Sequence, residues 1–231
     1  MNRISRERHR WLIVALYAIA MAWVEAAVVY YLRTLVNRID PYQSNPLPLA
    51  PGLDEAELIR ELATMVMLFA VGWLAGATWR SRGGYMLVAF GIWDVFYYLF
   101  LRIMTGRPKS LLDWDVLFLI PLPWWGPVWA PASIALLMIL GGTFITQIER
   151  SPVSPGSNWK SLALAAAGAG LALFAFMADA IRTAGQGIEA LRTMLPVRFN
   201  WPLFSVGLAL MALPAVEVAW QVLRARRKVE L

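Results

Sequence analysis

Four acidic residues interrupt the long apolar segments of this chain, and they are its clearest candidates for chemistry. They are Glu25, Asp94, Asp179 and Glu217. The sequence indicates no lysine or arginine at comparable depth in those segments, so each carboxyl group must be protonated, paired or bound to a cation. Acidic residues within a membrane commonly mark proton or cation pathways. The pattern predicts a proton or cation site, and the alternative is that neutral acids hydrogen-bond across the bundle.

Glu25 and Asp94 are the two acids best placed to share such a site. Each precedes an arginine by eight residues. If both arginines reach the outer membrane surface, both carboxyl groups lie roughly 12 Å below it. Tyr97 and Tyr98 follow Asp94 at positions i+3 and i+4, on the same face of a helix. We expect the two acids and the two tyrosines to form one polar site.

The other two acids lie near the ends of their apolar segments. Asp179 is followed three residues later by Arg182, a spacing that favours a local salt bridge. Glu217 lies toward the inner end of the last segment. It either faces basic residues there or contributes to the proton or cation site.

A second candidate feature is an acidic and tryptophan-rich stretch in the middle of the chain. Asp113 and Asp115 flank Trp114, and two acids at i and i+2 point apart on a helix, so they form no ready chelate. Capping of a turn is favoured, and collection of cations at an entrance is the alternative. Trp114, Trp124 and Trp125 suit an interfacial belt at the headgroup level, with a stacking wall for a flat ligand as the alternative.

Composition identifies the class of elements that must hold these residues. The chain has 231 residues, of which 59% are hydrophobic, and its mean hydropathy is +0.56. The apolar residues occur in blocks rather than in alternation, which favours membrane helices over a barrel. We predict one all-α integral membrane domain with six spans, at about residues 11–33, 62–80, 85–102, 127–148, 161–182 and 201–223.

The fourth apolar segment is too long for a single span. Val116 to Ile148 contains 33 residues without a charge, which as one helix would extend about 50 Å across a core of about 30 Å. Prolines at four positions interrupt it: Pro121, Pro123, Pro127 and Pro131. We predict a proline-broken, re-entrant or interfacial segment over Asp113–Trp125, followed by the spanning helix. Non-helical backbone at membrane depth must be buried or line a wet cavity.

The distribution of charge predicts the orientation in the membrane. The net charge is +6, and the basic residues gather at the ends of spans, which topology explains better than nucleic-acid binding. With the N-terminus inside, the inner loops hold 12 basic and 3 acidic residues, and the outer loops hold 9 and 8. We therefore predict both termini in the cytoplasm of a bacterial inner membrane, with the broken segment on the outer side.

Several cofactors lack ligands in this sequence. There is no cysteine, the single histidine is His9 in the charged N-terminal tail, and the three lysines lie outside the spans. We expect no haem, iron–sulfur cluster, zinc or retinal. The expected partners are the lipid bilayer and either further protein subunits or a second copy of the chain.

Three functions are compatible with these features. The favoured one is a small carrier or ion-conducting subunit in which the intramembrane carboxyl groups bind a proton or cation. The second is a non-catalytic accessory subunit of a larger respiratory, photosynthetic or transport complex. The third, a membrane enzyme that acts on a lipid or isoprenoid through Mg²⁺, is the weakest, because the chain has no DxxxD or DDxxD motif at chelating spacing.

Overall fold

Six long apolar helices dominate the computed structural model, which describes residues 3–43, 53–119, 121–148 and 158–227. All six are long and apolar enough to cross a membrane, so the chain is an integral membrane helical bundle. In chain order the elements are α1 (Arg3–Leu35), α2 (Leu53–Ala75), α3 (Trp79–Thr105), β1 (Trp114–Val116), β2 (Trp125–Pro127), α4 (Trp129–Ile148), α5 (Trp159–Ala184), the short α6 (Ile188–Thr193) and α7 (Trp201–Arg227).

Helix α3 is the centre of the first half of the bundle. It packs against α1, α2 and α4, and α1 and α2 contact α3 more extensively than they contact each other. The large side chains of Tyr85, Val88 and Leu101 on α3 are fully buried, and small residues of α1 such as Ala18 and Ala22 pack against this side. This arrangement leaves space between α1 and α2 in front of α3.

The second half of the bundle is built on the contact between α5 and α7. Gly168 of α5 and Gly207 of α7 lie at the crossing, where a Cβ atom added to Gly168 would be 2.5 Å from the Gly207 carbonyl oxygen. Small residues at this point allow the two backbones to approach closely, as is common between membrane helices. Helix α4 connects the halves, because it packs against α3 and also contacts α7.

The boundary between the second and third helices differs from the prediction. The predicted spans 62–80 and 85–102 leave a short connection between them, but α3 already begins at Trp79. Thr78 and Ser81 form a capping box, in which the Ser81 N–H donates to Thr78 Oγ1 at 3.2 Å and the Thr78 N–H donates to Ser81 Oγ at 2.9 Å. This cap starts the helix ahead of Arg80, Arg82, Gly83 and Gly84, so these residues lie in its first turns.

The proline-broken segment forms a β-hairpin. β1 and β2 pair antiparallel, with Trp114 opposite Pro127 and Val116 opposite Trp125. The Val128 N–H donates to the Asp113 carbonyl at 3.0 Å. The chain therefore returns to the point at which it entered the hairpin instead of crossing the bundle. The sequence predicted the break but not the strands, and the depth of this hairpin in the membrane stays a prediction.

Candidate binding cavity

A cavity of about 420 Å³ lies between α1, α2, α3 and the hairpin. It is partly open to the surroundings. Apolar side chains from the hairpin tip form one wall, and they include Leu117, Phe118, Leu119 and Leu122. The three helices contribute charged and hydroxyl-bearing side chains to the opposite walls.

Each of the three helices presents its polar residues on one face. On α1, Glu25 and Arg33 are eight residues apart and both line the cavity. On α3, Asp94, Tyr97 and Tyr98 follow the i, i+3, i+4 pattern and line it as well. The structure therefore brings Glu25, Asp94, Tyr97 and Tyr98 to one cavity, while their role as a proton or cation site stays a prediction.

Helix α2 supplies a polar face that the sequence analysis did not assign to the site. Glu57, Arg60 and Glu61 line the cavity, and Thr64 contacts Glu25 from the next turn. Their spacing of i, i+3, i+4 and i+7 is the signal that could have identified them, because it places all four on one face of a helix. The predicted second span begins at residue 62. Glu57, Arg60 and Glu61 precede that position, so the prediction places them outside the membrane.

Glu25 has a basic partner, which corrects the expectation that none lies at its depth. Its carboxylate forms an ion pair with the Arg60 guanidinium and accepts a hydrogen bond from Thr64 Oγ1 at 3.0 Å. Arg60 also pairs with Glu57 at 2.9 Å. Because α2 begins at Leu53, Arg60 lies about two turns inside the helix rather than ahead of it. This network connects α1 to α2.

Asp94 differs from the other acids of the cavity. The residue is only 8% exposed, and its Oδ2 atom has no hydrogen-bond partner in the described part of the chain. The rings of Tyr97 and Tyr98 lie beside it on the same helix, 5.0 Å apart. Asp94 therefore lines the cavity, and its buried Oδ2 atom has no hydrogen-bond partner among residues 3–43, 53–119, 121–148 and 158–227.

Asp115 anchors the base of the hairpin to α1. Its Oδ1 atom accepts from Arg33 Nη2 at 2.6 Å, and both side chains are largely buried. Burial raises the pKa of the Asp115 carboxyl above its ordinary value, and the Arg33 guanidinium offsets this only in part. Asp115 is thus a buried ion-pair partner of Arg33 and not an exposed collector of cations, and its Oδ1 atom also accepts the Val116 N–H at 2.9 Å. The strand geometry explains this, because β1 directs Asp115 toward α1.

Asp113 has a local role at the foot of the hairpin. Its carboxylate accepts the Lys109 N–H at 2.7 Å and the Ser110 hydroxyl at 2.9 Å. Partial burial raises the pKa of the Asp113 carboxyl, but these hydrogen bonds and the nearby Arg107 together outweigh burial, so the pKa is lowered. Asp113 therefore caps the turn that leads into β1.

The tip of the hairpin is held by a residue that the sequence analysis did not single out. The Leu119 N–H lies 3.1 Å from both carboxylate oxygens of Glu61, and Glu61 is buried. The hairpin is consequently attached to α1 at its base through Asp115 and to α2 near its tip through Glu61.

Two of the candidate acids lie outside the cavity. Glu217 accepts hydrogen bonds from the Ser161 hydroxyl at 2.5 Å and from the Asn158 N–H at 3.1 Å, at the start of α5. Glu217 does not line the cavity that contains Glu25 and Asp94, and it instead caps the start of α5. Asp179 forms an ion pair with Arg182 one turn away.

Trp125 of the hairpin is buried, and Trp114 and Trp124 are half-buried against other aromatic rings. Trp125 is only 4% exposed, which corrects its assignment to an interfacial belt. Trp114 packs edge-on against Phe199 with the ring centroids 6.1 Å apart, and Trp124 stacks on Phe176 at 6.4 Å. The hairpin folds back onto α5 and the segment before α7, so these indoles fill the gap between the two halves of the bundle.

The cavity and its hairpin anchor carry an excess of negative charge. The acids are Glu25, Glu57, Glu61, Asp94 and Asp115, and the bases are Arg33, Arg38 and Arg60. If all eight groups are ionised, their net charge is −2. In the described part of the chain, no three Asp, Glu, His or Cys residues are grouped to hold a metal ion.

No protein-family model matches the chain, and neither a curated protein nor a solved structure matches it. The function of the cavity is therefore inferred from its geometry.

Proposed function

We propose that this integral membrane protein is a small carrier in which Asp94 binds and releases a proton or cation inside the cavity. One observation carries this proposal. The Asp94 carboxyl is buried, lines the cavity and has no hydrogen-bond partner for Oδ2 in the part of the chain that the structure describes. A carboxylate in that position is costly unless a proton or cation neutralises it.

The partners of the other acids support the choice of Asp94. Arg60 neutralises Glu25, Arg33 neutralises Asp115, and Glu61 accepts the Leu119 N–H. These acids hold the walls of the cavity together, whereas Asp94 is left to interact with what enters. Glu25, first expected to share the binding role, serves in this proposal to connect α1 to α2.

An accessory subunit of a larger complex is the second candidate. That function predicts intramembrane acids in dry, paired contacts, and the Glu25–Arg60 pair has this character. Asp94 has no such paired contact for its Oδ2 atom in the described part of the chain, and the carrier is therefore preferred. In either case the charge distribution supports an orientation with both termini in the cytoplasm of a bacterial inner membrane and the hairpin on the outer side.

The carrier is tested by flux measurements on the purified protein in liposomes. A pH gradient is imposed across the membrane, and the uptake of small labelled cationic, neutral and anionic solutes is followed. We expect the gradient to drive at least one class of solute in the wild type. Asp94→Asn should abolish this flux, because the amide keeps the shape of the side chain and removes its ionisation.

Glu217→Gln is the matched control, since it neutralises an acid of a spanning helix that lies away from the cavity. This variant should transport at the wild-type rate. Flux that persists unchanged in Asp94→Asn would overturn the proposal. Absence of gradient-driven flux for all three classes of solute in correctly inserted wild-type protein would overturn it as well.

A further inference from the structure

We infer that the cavity binds an organic cation, with a positively charged nitrogen directed at Asp94 and an apolar body against the hairpin tip. This inference rests on the proposed function, because it names the class of ligand that the same cavity would take. It follows from the charge, the donor set, the aromatic wall and the volume of the cavity.

The balance of charge selects a cation over an anion. Arg33 and Arg60 are engaged by Asp115 and by Glu25, so neither guanidinium is available to an anionic ligand. The third base, Arg38, donates to the carbonyl oxygens of Pro41 and Gln43 at 3.1 and 2.8 Å. An anion would meet the uncompensated Asp94, whereas a cation would be attracted to it.

The donor set selects an organic cation over a metal ion. A calcium ion takes six to eight oxygen ligands, and magnesium requires near-octahedral geometry. The described residues bring together no three acidic, histidine or cysteine side chains that could coordinate such an ion. Asp94, Tyr97 and Tyr98 together offer one negative charge and few oxygen atoms. This set suits a substituted ammonium ion, which needs no complete shell of oxygen ligands.

Four aromatic residues line the same cavity as Asp94. Trp93, Tyr97, Tyr98 and Phe118 all line the cavity. Trp93 stacks on Tyr97 with the ring centroids 6.1 Å apart, and Phe118 lies 6.3 Å from Trp93. Aromatic faces attract cations, and a desolvated site strengthens this attraction. A carboxyl group next to several aromatic rings is the combination that recognises substituted ammonium ions.

The size and the remaining lining of the cavity indicate an apolar body. A volume of about 420 Å³ lies within the usual range for small organic ligands, roughly 300–1,000 Å³, and far exceeds that of a bare ammonium ion. Leu117, Leu119 and Leu122 of the hairpin and Val29 and Leu32 of α1 all line this space. Such walls favour a ligand with a hydrocarbon or aromatic portion.

The probe for this inference is benzyltrimethylammonium, which keeps its charge at every pH and combines a quaternary nitrogen with an aromatic ring. Binding of the labelled compound to the purified full-length protein is measured at equilibrium. Phenylmethanesulfonate, an anion of comparable size, serves as competitor. We expect saturable binding at one site per chain and no displacement by the sulfonate.

Three variants locate the site. Asp94→Asn should weaken binding at least tenfold, and Phe118→Leu should weaken it severalfold because it retains apolar volume but removes a ring. Glu217→Gln should bind as the wild type does. Asp94→Glu retains the charge, so partial binding by this variant would show that Asp94→Asn acts through charge and not through misfolding.

The inference is overturned if the cation shows no saturable binding, if the sulfonate displaces it, or if Asp94→Asn binds it with wild-type affinity. These outcomes are separate from the flux test of the carrier. Asp94-dependent flux of only neutral or anionic solutes would leave the carrier standing and remove the organic cation. Asp94-dependent cation binding without any gradient-driven flux would support the organic cation as ligand and overturn the carrier.

Discussion

Arg33 on α1 and Asp115 on β1 form a buried ion pair, with Nη2 and Oδ1 2.6 Å apart. This contact fixes the base of a short hairpin to the first helix, in a region where the two strands alone would provide few hydrogen bonds. Because the hairpin tip forms one wall of the cavity, the pair determines where that wall lies.

Removal of the negative partner should destabilise the protein. Asp115→Asn leaves the largely buried Arg33 guanidinium without a counterion, and loss of one partner from a buried pair costs about 3–5 kcal/mol. We expect a clear decrease in Tm, measured in detergent by the change in tryptophan fluorescence on heating. Asp179→Asn is the control, because its partner Arg182 is 70% exposed and exposed pairs contribute about 0–1 kcal/mol.

The double variant Arg33→Met/Asp115→Leu extends the same experiment. It removes both charges, so it should recover much of the stability lost in Asp115→Asn. If the double variant is less stable than either single variant, the two residues do not act as a pair.

The ion pair between Glu25 and Arg60 should be visible as an energetic coupling. In a double-mutant cycle with Glu25→Gln and Arg60→Gln, residues in direct contact give interaction energies of about 0.5–3 kcal/mol. We expect a value in this range from unfolding titrations with denaturing detergent. The pair Glu217→Gln and Arg60→Gln, which are not in contact, should be additive. Additivity of Glu25 and Arg60 would exclude the contact.

The sequence predicted a helical membrane bundle with six long apolar helices, because this follows from the length and composition of the apolar segments. It also named Asp94 as a candidate, because this acid interrupts an apolar helix, and the binding role of Asp94 stays a prediction. It did not predict the partner of Glu25, because Arg60 is separated from it by 35 positions and pairing across two helices depends on their rotation and on where α2 begins.

The structure of the hairpin could be predicted from the sequence only in part. Prolines indicated that Asp113–Trp125 could not be a straight helix, yet β1 and β2 contain only three residues each. Strands this short carry no measurable alternation of apolar and polar residues. Their pairing is determined by contacts with α1, α2 and α5, so the burial of Trp125 and the pairing of Asp115 could not be deduced from local pattern.

The close approach of α5 and α7 makes a prediction about two glycines on one helix. Gly168→Ala would place a methyl group 2.5 Å from the Gly207 carbonyl oxygen, whereas Gly170 has no atom within 4 Å of an added Cβ. We expect Gly168→Ala to lower the free energy of unfolding by about 1–3 kcal/mol. Gly170→Ala should be neutral or slightly stabilising, because alanine favours helix. Equal effects of the two substitutions would contradict the observed crossing.

Asp113 should contribute to stability in a pH-dependent way. Because its pKa is lowered in the folded protein, its contribution is present above the unfolded pKa of about 3.9 and is lost as pH falls through the folded value. Thermal unfolding between pH 3 and 7 should show a steeper acid decline of Tm for the wild type than for Asp113→Asn. The effect should be small, since the carboxyl is partly exposed. Parallel curves would show that the hydrogen bonds from Lys109 and Ser110 do not favour the ionised form.

The most direct measurement of the central claim is a map of the carboxyl groups that react with dicyclohexylcarbodiimide, which modifies protonated acids in apolar surroundings. Mass spectrometry of the treated protein should find the adduct on Asp94 and not on the ion-paired Glu25, and benzyltrimethylammonium should reduce the modification of Asp94. An adduct on Glu25 with none on Asp94 would contradict the assignment of Asp94 as the carboxyl that binds a proton or cation in this cavity.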